Sequence, residues 1–194
     1  MTIMNRARQG VTEEIKILAE RERIDEEVLR RRVAKGRIVM PRNPIHAPTP
    51  MGIGEGLSVK VNVNIGTSRD MPDLGAEMDK ARVAVKYGAD TIMDLSTGGD
   101  IDLIRRSLLD EVDVPLGTVP IYQTGLKAAR ESSVVDMDED DIFNGIQLHA
   151  EDGVDFMTVH CGVTRETVKW LKRSDRITDV VSRGGSFLTA WILH

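Results

Sequence analysis

Short apolar stretches alternate with longer amphipathic ones through most of this sequence, and the alternation begins at residue 58. Two short helices are predicted before it. One covers 12–21, opened by Glu13 and Glu14. The other covers 25–34, capped by Asp25 with Glu26 and Glu27 in its first turn, where carboxylates suit the positive end of a helix. Pro41, Pro44, Pro48 and Pro50 then interrupt regular structure across PRNPIHAPTPMGIGEG, which reads as an ordered connector. Residues 1–57 are thus expected to form a helical segment with a Pro-rich connector, and residues 58–194 the main domain.

Within that domain the first predicted strand is VKVNVNIG, 59–66. A helix follows over 73–87, with Leu74, Met78, Ala81 and Val85 on one face and Gly88 as its stop. DTIMDLST is the second strand, and Asp100 the N-cap of a helix carrying Ile101, Ile104, Leu108 and Val112. PLGTVPIYQ is the third strand. A helix over 139–152 ends at Gly153, VDFMTVH is the fourth strand, and RETVKWLKR the helix after it. ITDVVS, 177–182, is predicted as a fifth strand running into GGS and a final helical segment, FLTAWILH.

Repeated βα units define an α/β fold with a parallel sheet. Two architectures fit: the first five units of a (β/α)8 TIM-type barrel, or a complete open doubly wound sheet. Length alone favours the open sheet. The strand ends favour the barrel: Asn62 and Asn64, Asp94 with Ser96 and Thr97, Tyr122 and Gln123, His160, and Ser182 with Arg183 all fall where both folds gather their sites. A ring of polar groups from every strand makes the partial barrel the expectation and the open sheet the alternative.

Composition then limits the partners. With 26 Lys+Arg against 31 Asp+Glu, a net charge of -5 and only 4% aromatic residues, the chain lacks the basic stripe and stacking platforms of a nucleic-acid binder. The first 40 residues hold 10 Lys+Arg and 7 Asp+Glu, net +3, which leaves -8 for the rest. The one basic cluster, Arg30 to Arg32, reads as the solvated last turn of a helix. A single cysteine, Cys161, excludes an intrachain disulfide and any cluster or zinc site built from several thiolates of this chain. No apolar run approaches the roughly 18 to 20 residues that span a bilayer, and MTIMNRARQG has no apolar leader core. A soluble, cytoplasmic protein is expected.

Few motifs carry chemistry by themselves. SRGGS at 182–186 lies between a predicted strand and a predicted helix, where small residues let backbone N–H groups approach an anion and Arg183 adds a charge; a tight structural turn explains it equally well. Ser96 to Gly99 are explained by the cap at Asp100. His160 ends an apolar strand and reads either as a satisfied core histidine or as a functional group. Cys161 reads as a small hydrophobe before a nucleophile. Asn64 and Tyr122 supply hydrogen-bonding groups and Met93 a soft apolar contact for a polar ring. The acidic run from Asp136 to Asp141 lacks the Gly and distal Glu of a calcium loop and reads as a helix start. Nothing matches a P-loop or a GxGxxG turn.

The strings VKVNVNIGTS, YGADTIMDLSTGGD, GTVPIYQ, GVDFMTVHCGV and VVSRGGSFLTAWILH, in this order, resemble the phosphomethylpyrimidine synthase family of thiamine biosynthesis. The opening VTEEIKILAERE and GRIVMPRN are similar to its shorter archaeal members, so the resemblance spans the whole chain. It implies a (β/α)8 catalytic domain and a radical S-adenosylmethionine (SAM) lyase that rearranges 5-aminoimidazole ribotide into hydroxymethylpyrimidine phosphate. Position by position, it carries substrate contacts onto Asn64, Met93, Tyr122, His160, Ser182, Arg183 and Gly184. It also implies a homodimer in the full-length enzyme.

The resemblance further implies a 4Fe-4S cluster held by CxxCxxxxC, SAM, and zinc bound by two histidines, with ligands in a later half of the family's chain. Cys161 alone cannot ligate such a cluster. The expectation is therefore the N-terminal part of such an enzyme, inactive alone. 5-Hydroxybenzimidazole synthase, which starts from the same ribotide, and a non-catalytic phosphate-binding module on an open sheet are the alternatives. Val63 and Asp179 depart from the family's usual residues without touching a transferred position.

Overall fold

Thr2, Thr12 and Asp25 each turn a side-chain oxygen toward free backbone N–H groups, and each starts a helix. In this computed structural model, which describes residues 1–171 and 173–194, these helices are α1 (Ile3–Gln9), α2 (Glu13–Glu22) and α3 (Glu26–Ala34). The last two lie where the sequence predicts them. Helix α1 escapes that reading because seven residues with no acidic first turn leave little signal. The three helices bury Ala7, Ile15, Leu18, Leu29 and Val33 against Ile38 and Met40. Ile38 opens β1 (Ile38–Val39), which pairs antiparallel with β2 (Ile53–Gly54). The basic cluster serves this unit: Arg30 pairs with Glu27 and donates to the Ala7 carbonyl at 2.8 Å, and Arg32 donates to the Glu55 carbonyl.

The Pro-rich connector is clamped to the α/β unit by two side chains. The Asn43 N–H donates to Asp155 Oδ1 at 2.7 Å, and its amide donates to the Ala150 and Val154 carbonyls. His46 Nδ1 lies 2.6 Å from Asp155 Oδ2 and Nε2 lies 2.8 Å from the Val112 carbonyl. Both ring nitrogens face acceptors, so the imidazole carries both protons. Burial by itself lowers the His46 pKa, but the hydrogen bonds to Asp155 and Val112 and the Asp155 charge outweigh it and raise the pKa above its ordinary value.

Strands β3 (Asn62–Ile65), β4 (Thr91–Asp94), β5 (Leu116–Thr118) and β6 (Phe156–Met157) form a parallel sheet in chain order, β3-β4-β5-β6. Between them run α4 (Leu74–Lys86), α5 (Ile101–Glu111), α6 (Pro120–Glu131) and α7 (Glu139–Asp152). Helices α8 (Arg165–Leu171) and α9 (Arg183–Leu193) follow β6. Asp73, Asp100 and Asp138 cap α4, α5 and α7, and Asp138 with Asp141 completes a capping box, so the acidic run is a helix start. Side chains alternate across the strands. Val63, Ile65, Ile92 and Leu116 pack with Ala81, Ile104 and Leu108 of the helices on one face. The other face carries an in-register row, Asn64, Met93, Gly117 and Phe156.

Every expected strand is shorter than its apolar run, β6 keeping only Phe156–Met157 of VDFMTVH so that His160 lies beyond it, and two differ in kind. The third stops at Thr118, because Pro120 has no N–H for a ladder and its fixed φ suits the first position of a helix; Tyr122 and Gln123 therefore stand on the first turn of α6. The fifth is not a strand: residues 177–182 lie in bends and irregular backbone, with Ile177 and Val181 exposed. A strand needs a neighbour's free N–H and C=O groups, and β6 is a two-residue edge that offers no ladder past Met157. The described sheet thus has four strands where the sequence predicts five.

Candidate functional site

The loops after β3 and β4 are tied to each other before they reach any ligand. The Thr67 N–H donates to Ser96 Oγ at 3.1 Å and its hydroxyl donates to the Gly98 carbonyl at 2.7 Å. Asp94 Oδ1 accepts from both the N–H and the hydroxyl of Ser96. Burial pushes the Asp94 pKa up against those hydrogen bonds, and the Glu77 charge adds to the rise. Asp94 sits on the helix-covered side of its strand, opposite to Met93. These groups brace the loops and are not part of the row on the other face.

On that other face the seven predicted residues form one chain of neighbours. Asn64 pairs in register with Met93 and accepts from the Asn62 amide at 2.9 Å. Met93 belongs to a cluster with Val119, Ile121 and Met137, into which Tyr122, Phe156, Phe187 and Trp191 pack. The Tyr122 ring lies under the Arg183 guanidinium, whose carbon is 5.1 Å from the ring centroid. Ser182 caps α9, its Oγ accepting from the Gly185 N–H at 3.2 Å, and the same Oγ is 3.1 Å from His160 Nε2. Gly184 is buried against the His160 ring, which a Cβ at that position would strike. His160 Nδ1 is buried without a hydrogen-bond partner.

This arrangement explains what SRGG can do chemically. A first helical turn has N–H groups without intrahelical partners and carries the positive end of the dipole. Arg183 adds a full charge held on an aromatic face, and Gly184 keeps the backbone low enough for His160 to lie beside it. The result is a cationic corner next to a soft apolar floor of Met93 and Tyr122, with Asn64 and His160 at its sides.

The sequence reading missed the polar groups behind this corner. Arg105 is completely buried and touches Asp102, Gln123, His149 and Asp152. Its position on the apolar stripe of α5, between Ile101, Ile104 and Leu108, is the signal that could have found it. Among the described residues no three His, Cys, Asp or Glu side chains come together as a metal site, and Cys161 is exposed. The donors that a 4Fe-4S cluster or a two-histidine zinc site requires are not assembled by these residues. No helix among them is long and apolar enough to cross a membrane.

A parallel α/β sheet with a cationic helix N-terminus over one face defines the class of protein, and comparison with known sequences gives the family. The radical SAM ThiC family matches residues 2–194, and the chain belongs to it. Over 197 aligned residues it is 56% identical to the phosphomethylpyrimidine synthase of Thermococcus kodakarensis, covering all of this chain and 46% of that protein. It is 53% identical to phosphomethylpyrimidine synthase 2 of Methanothermobacter thermautotrophicus and 52% identical to the phosphomethylpyrimidine synthase of Thermus thermophilus, again over the whole of this chain. The chain spans about half the length of these curated relatives.

Proposed function

We propose that this chain forms the phosphate side of the ribotide pocket in a phosphomethylpyrimidine synthase, a radical SAM lyase that converts 5-aminoimidazole ribotide into hydroxymethylpyrimidine phosphate for thiamine. The observation that carries the reading is membership of the radical SAM ThiC family across residues 2–194. The geometry supports it. The substrate phosphate meets the first-turn N–H groups of α9, the Ser182 hydroxyl and the Arg183 guanidinium. Met93 and Tyr122 supply an apolar floor, and Asn64 and His160 supply hydrogen bonds to the polar atoms of the ring and ribose. Gly184 leaves room for His160. SAM and the 4Fe-4S cluster supply the radical chemistry of the whole enzyme; they and zinc belong to residues outside this set, and no radical step is assigned to the residues described.

The architecture belongs to the same proposal. Residues 58–194 are read as an arc of a (β/α)8 barrel, with 1–57 as a helical cap and connector. Strand order rising without reversal supports the arc, since a doubly wound sheet reverses at a switch point. The whole enzyme is read as a cytoplasmic homodimer. Ribotide binding to the full-length enzyme tests the pocket: Arg183→Ala should weaken it by roughly 1 to 3 kcal/mol through loss of a charge-assisted contact. Equal affinity for variant and parent would reduce SRGG to a turn. The 194 residues alone, reconstituted with iron and sulfide, should form neither methionine nor 5'-deoxyadenosine from SAM above the control rate.

A further inference from the structure

Tyr122 and Gln123 are consecutive on the first turn of α6, and their side chains serve different sides of it. Tyr122 joins the Met93 cluster and carries Arg183. Gln123 enters a polar knot among α5, α6 and α7. Helix α6 has no side-chain hydrogen bond at its N-cap, Val119, so its own cap does not fix the rotation of its first turn. Gln123 does. Its Oε1 accepts from Arg105 Nη1 at 2.7 Å and lies 2.8 Å from His149 Nε2, while its amide nitrogen donates to Asp102 Oδ1 at 2.8 Å.

The partners of Gln123 are themselves held. Arg105 directs Nε at 2.9 Å and Nη2 at 2.5 Å to Asp152 Oδ2, and Nη2 at 2.5 Å to Asp102. His149 Nδ1 is 2.8 Å from Thr118 Oγ1, at the end of β5. With the Thr118 hydroxyl donating to Nδ1 and Nε2–H donating to Gln123, two of the three His149 contacts pair a donor with an acceptor, while Arg105 Nη1, 3.2 Å from Nε2, faces a second donor. That needs a neutral imidazole, and burial together with the Arg105 charge lowers the His149 pKa to about 4. Loss of the Gln123 amide would leave a buried guanidinium donor and a buried imidazole N–H without partners.

We propose that Gln123, locked by Arg105 and His149, is a positioning residue for the cationic corner: it sets the rotation of α6 that keeps the Tyr122 ring under Arg183, and so aims the guanidinium at an anionic group bound at SRGG. The consequence for binding rests on the phosphate reading of SRGG. The positioning itself is a property of the free chain.

The test reads the two separately in the 194-residue chain by NMR. A guanidinium on an aromatic face is shielded by the ring current, so the Arg183 side-chain shifts report the stack directly, and Tyr122→Leu calibrates their unstacked values. Gln123→Met should move the Arg183 shifts toward those of Tyr122→Leu. It should also weaken binding of ribose 5-phosphate, followed at the Gly184 and Gly185 amides, by about threefold to tenfold, the scale of one stacked cation. A Gln123→Met protein that melts earlier yet keeps the parent Arg183 shifts would make the knot structural only and overturn the proposal. Should that variant fail to fold, Thr118→Val, which cuts only the link to His149, should move the shifts in the same direction, and unchanged shifts there overturn it. If the parent itself does not bind ribose 5-phosphate, the phosphate reading fails while the Arg183 shifts still decide the positioning.

Discussion

His46 and His149 are both buried, yet they take opposite charge states, and each gives the protein a pH limb of its own. His149 is neutral, with a pKa lowered to about 4 by burial and the Arg105 charge. The unfolded chain takes up a proton near pH 6.5 and the folded one only near 4, so stability should fall as pH drops through that window, by an amount on the order of 3 kcal/mol. Denaturant midpoints measured from pH 7 to pH 4 check this, and His149→Gln should flatten the slope. His46 runs the other way. Its folded pKa is raised, so its contribution is complete below the unfolded value near 6.5 and is lost as pH rises through the folded value. His46→Ala should lose stability at pH 6 and show less further loss above it than the parent does. Neither residue could be read from the sequence, because the Pro-rich segment gives no hint that Asn43 and His46 meet Asp155 more than 100 positions away. His160 and the SRGG turn drew attention because an apolar run stops there and polar groups begin, although neither closes a strand in the structure.

At the scale of elements, local chemistry announces itself and pairing does not. The caps at Thr12, Asp25, Asp73 and Asp100 and the stop at Gly153 put helices within a residue or two of their predicted ends, since each is decided by side chains three or four positions apart. The predicted fifth strand, which does not form, and the shortened third failed on information from elsewhere in the chain or on a proline read as strand. Gly117 is a case in which pairing decides the residue. It lies in the row between Met93 and Phe156, and a Cβ there would meet the Phe156 ring, so β5 is narrow at this point to let the aromatic cross it. Gly117→Ala should therefore destabilise by about 1 to 3 kcal/mol as the ring is displaced, despite a better strand former in the sequence. A denaturation midpoint equal to that of the parent would mean that the ring moves aside freely.

For the whole molecule, the consequence of a four-stranded sheet is two open edges among the described residues. The β3 edge continues back through Val59 and Val61, which are 92% and 54% exposed, and the β6 side ends in Val159 and the exposed segment holding Ile177 and Val181. Parallel sheets are ordinarily covered on both faces, and an unpaired edge with apolar side chains is a template for another chain. The inner face offers little protection, because its polar residues Asn62 and Asn64 are themselves exposed. The 194-residue chain is therefore expected to self-associate as concentration rises, and Val61→Lys, which puts a charge on the β3 edge without touching the core, should shift sedimentation toward the monomer. Hydrogen exchange locates the edge independently: amides of 59–65 and 156–160 should exchange faster than those of β4, which is flanked on both sides. A concentration-independent monomer that unfolds in a single transition, with both outer segments as protected as β4, would mean that the arc closes its edges by itself and would return the open sheet to consideration over the barrel.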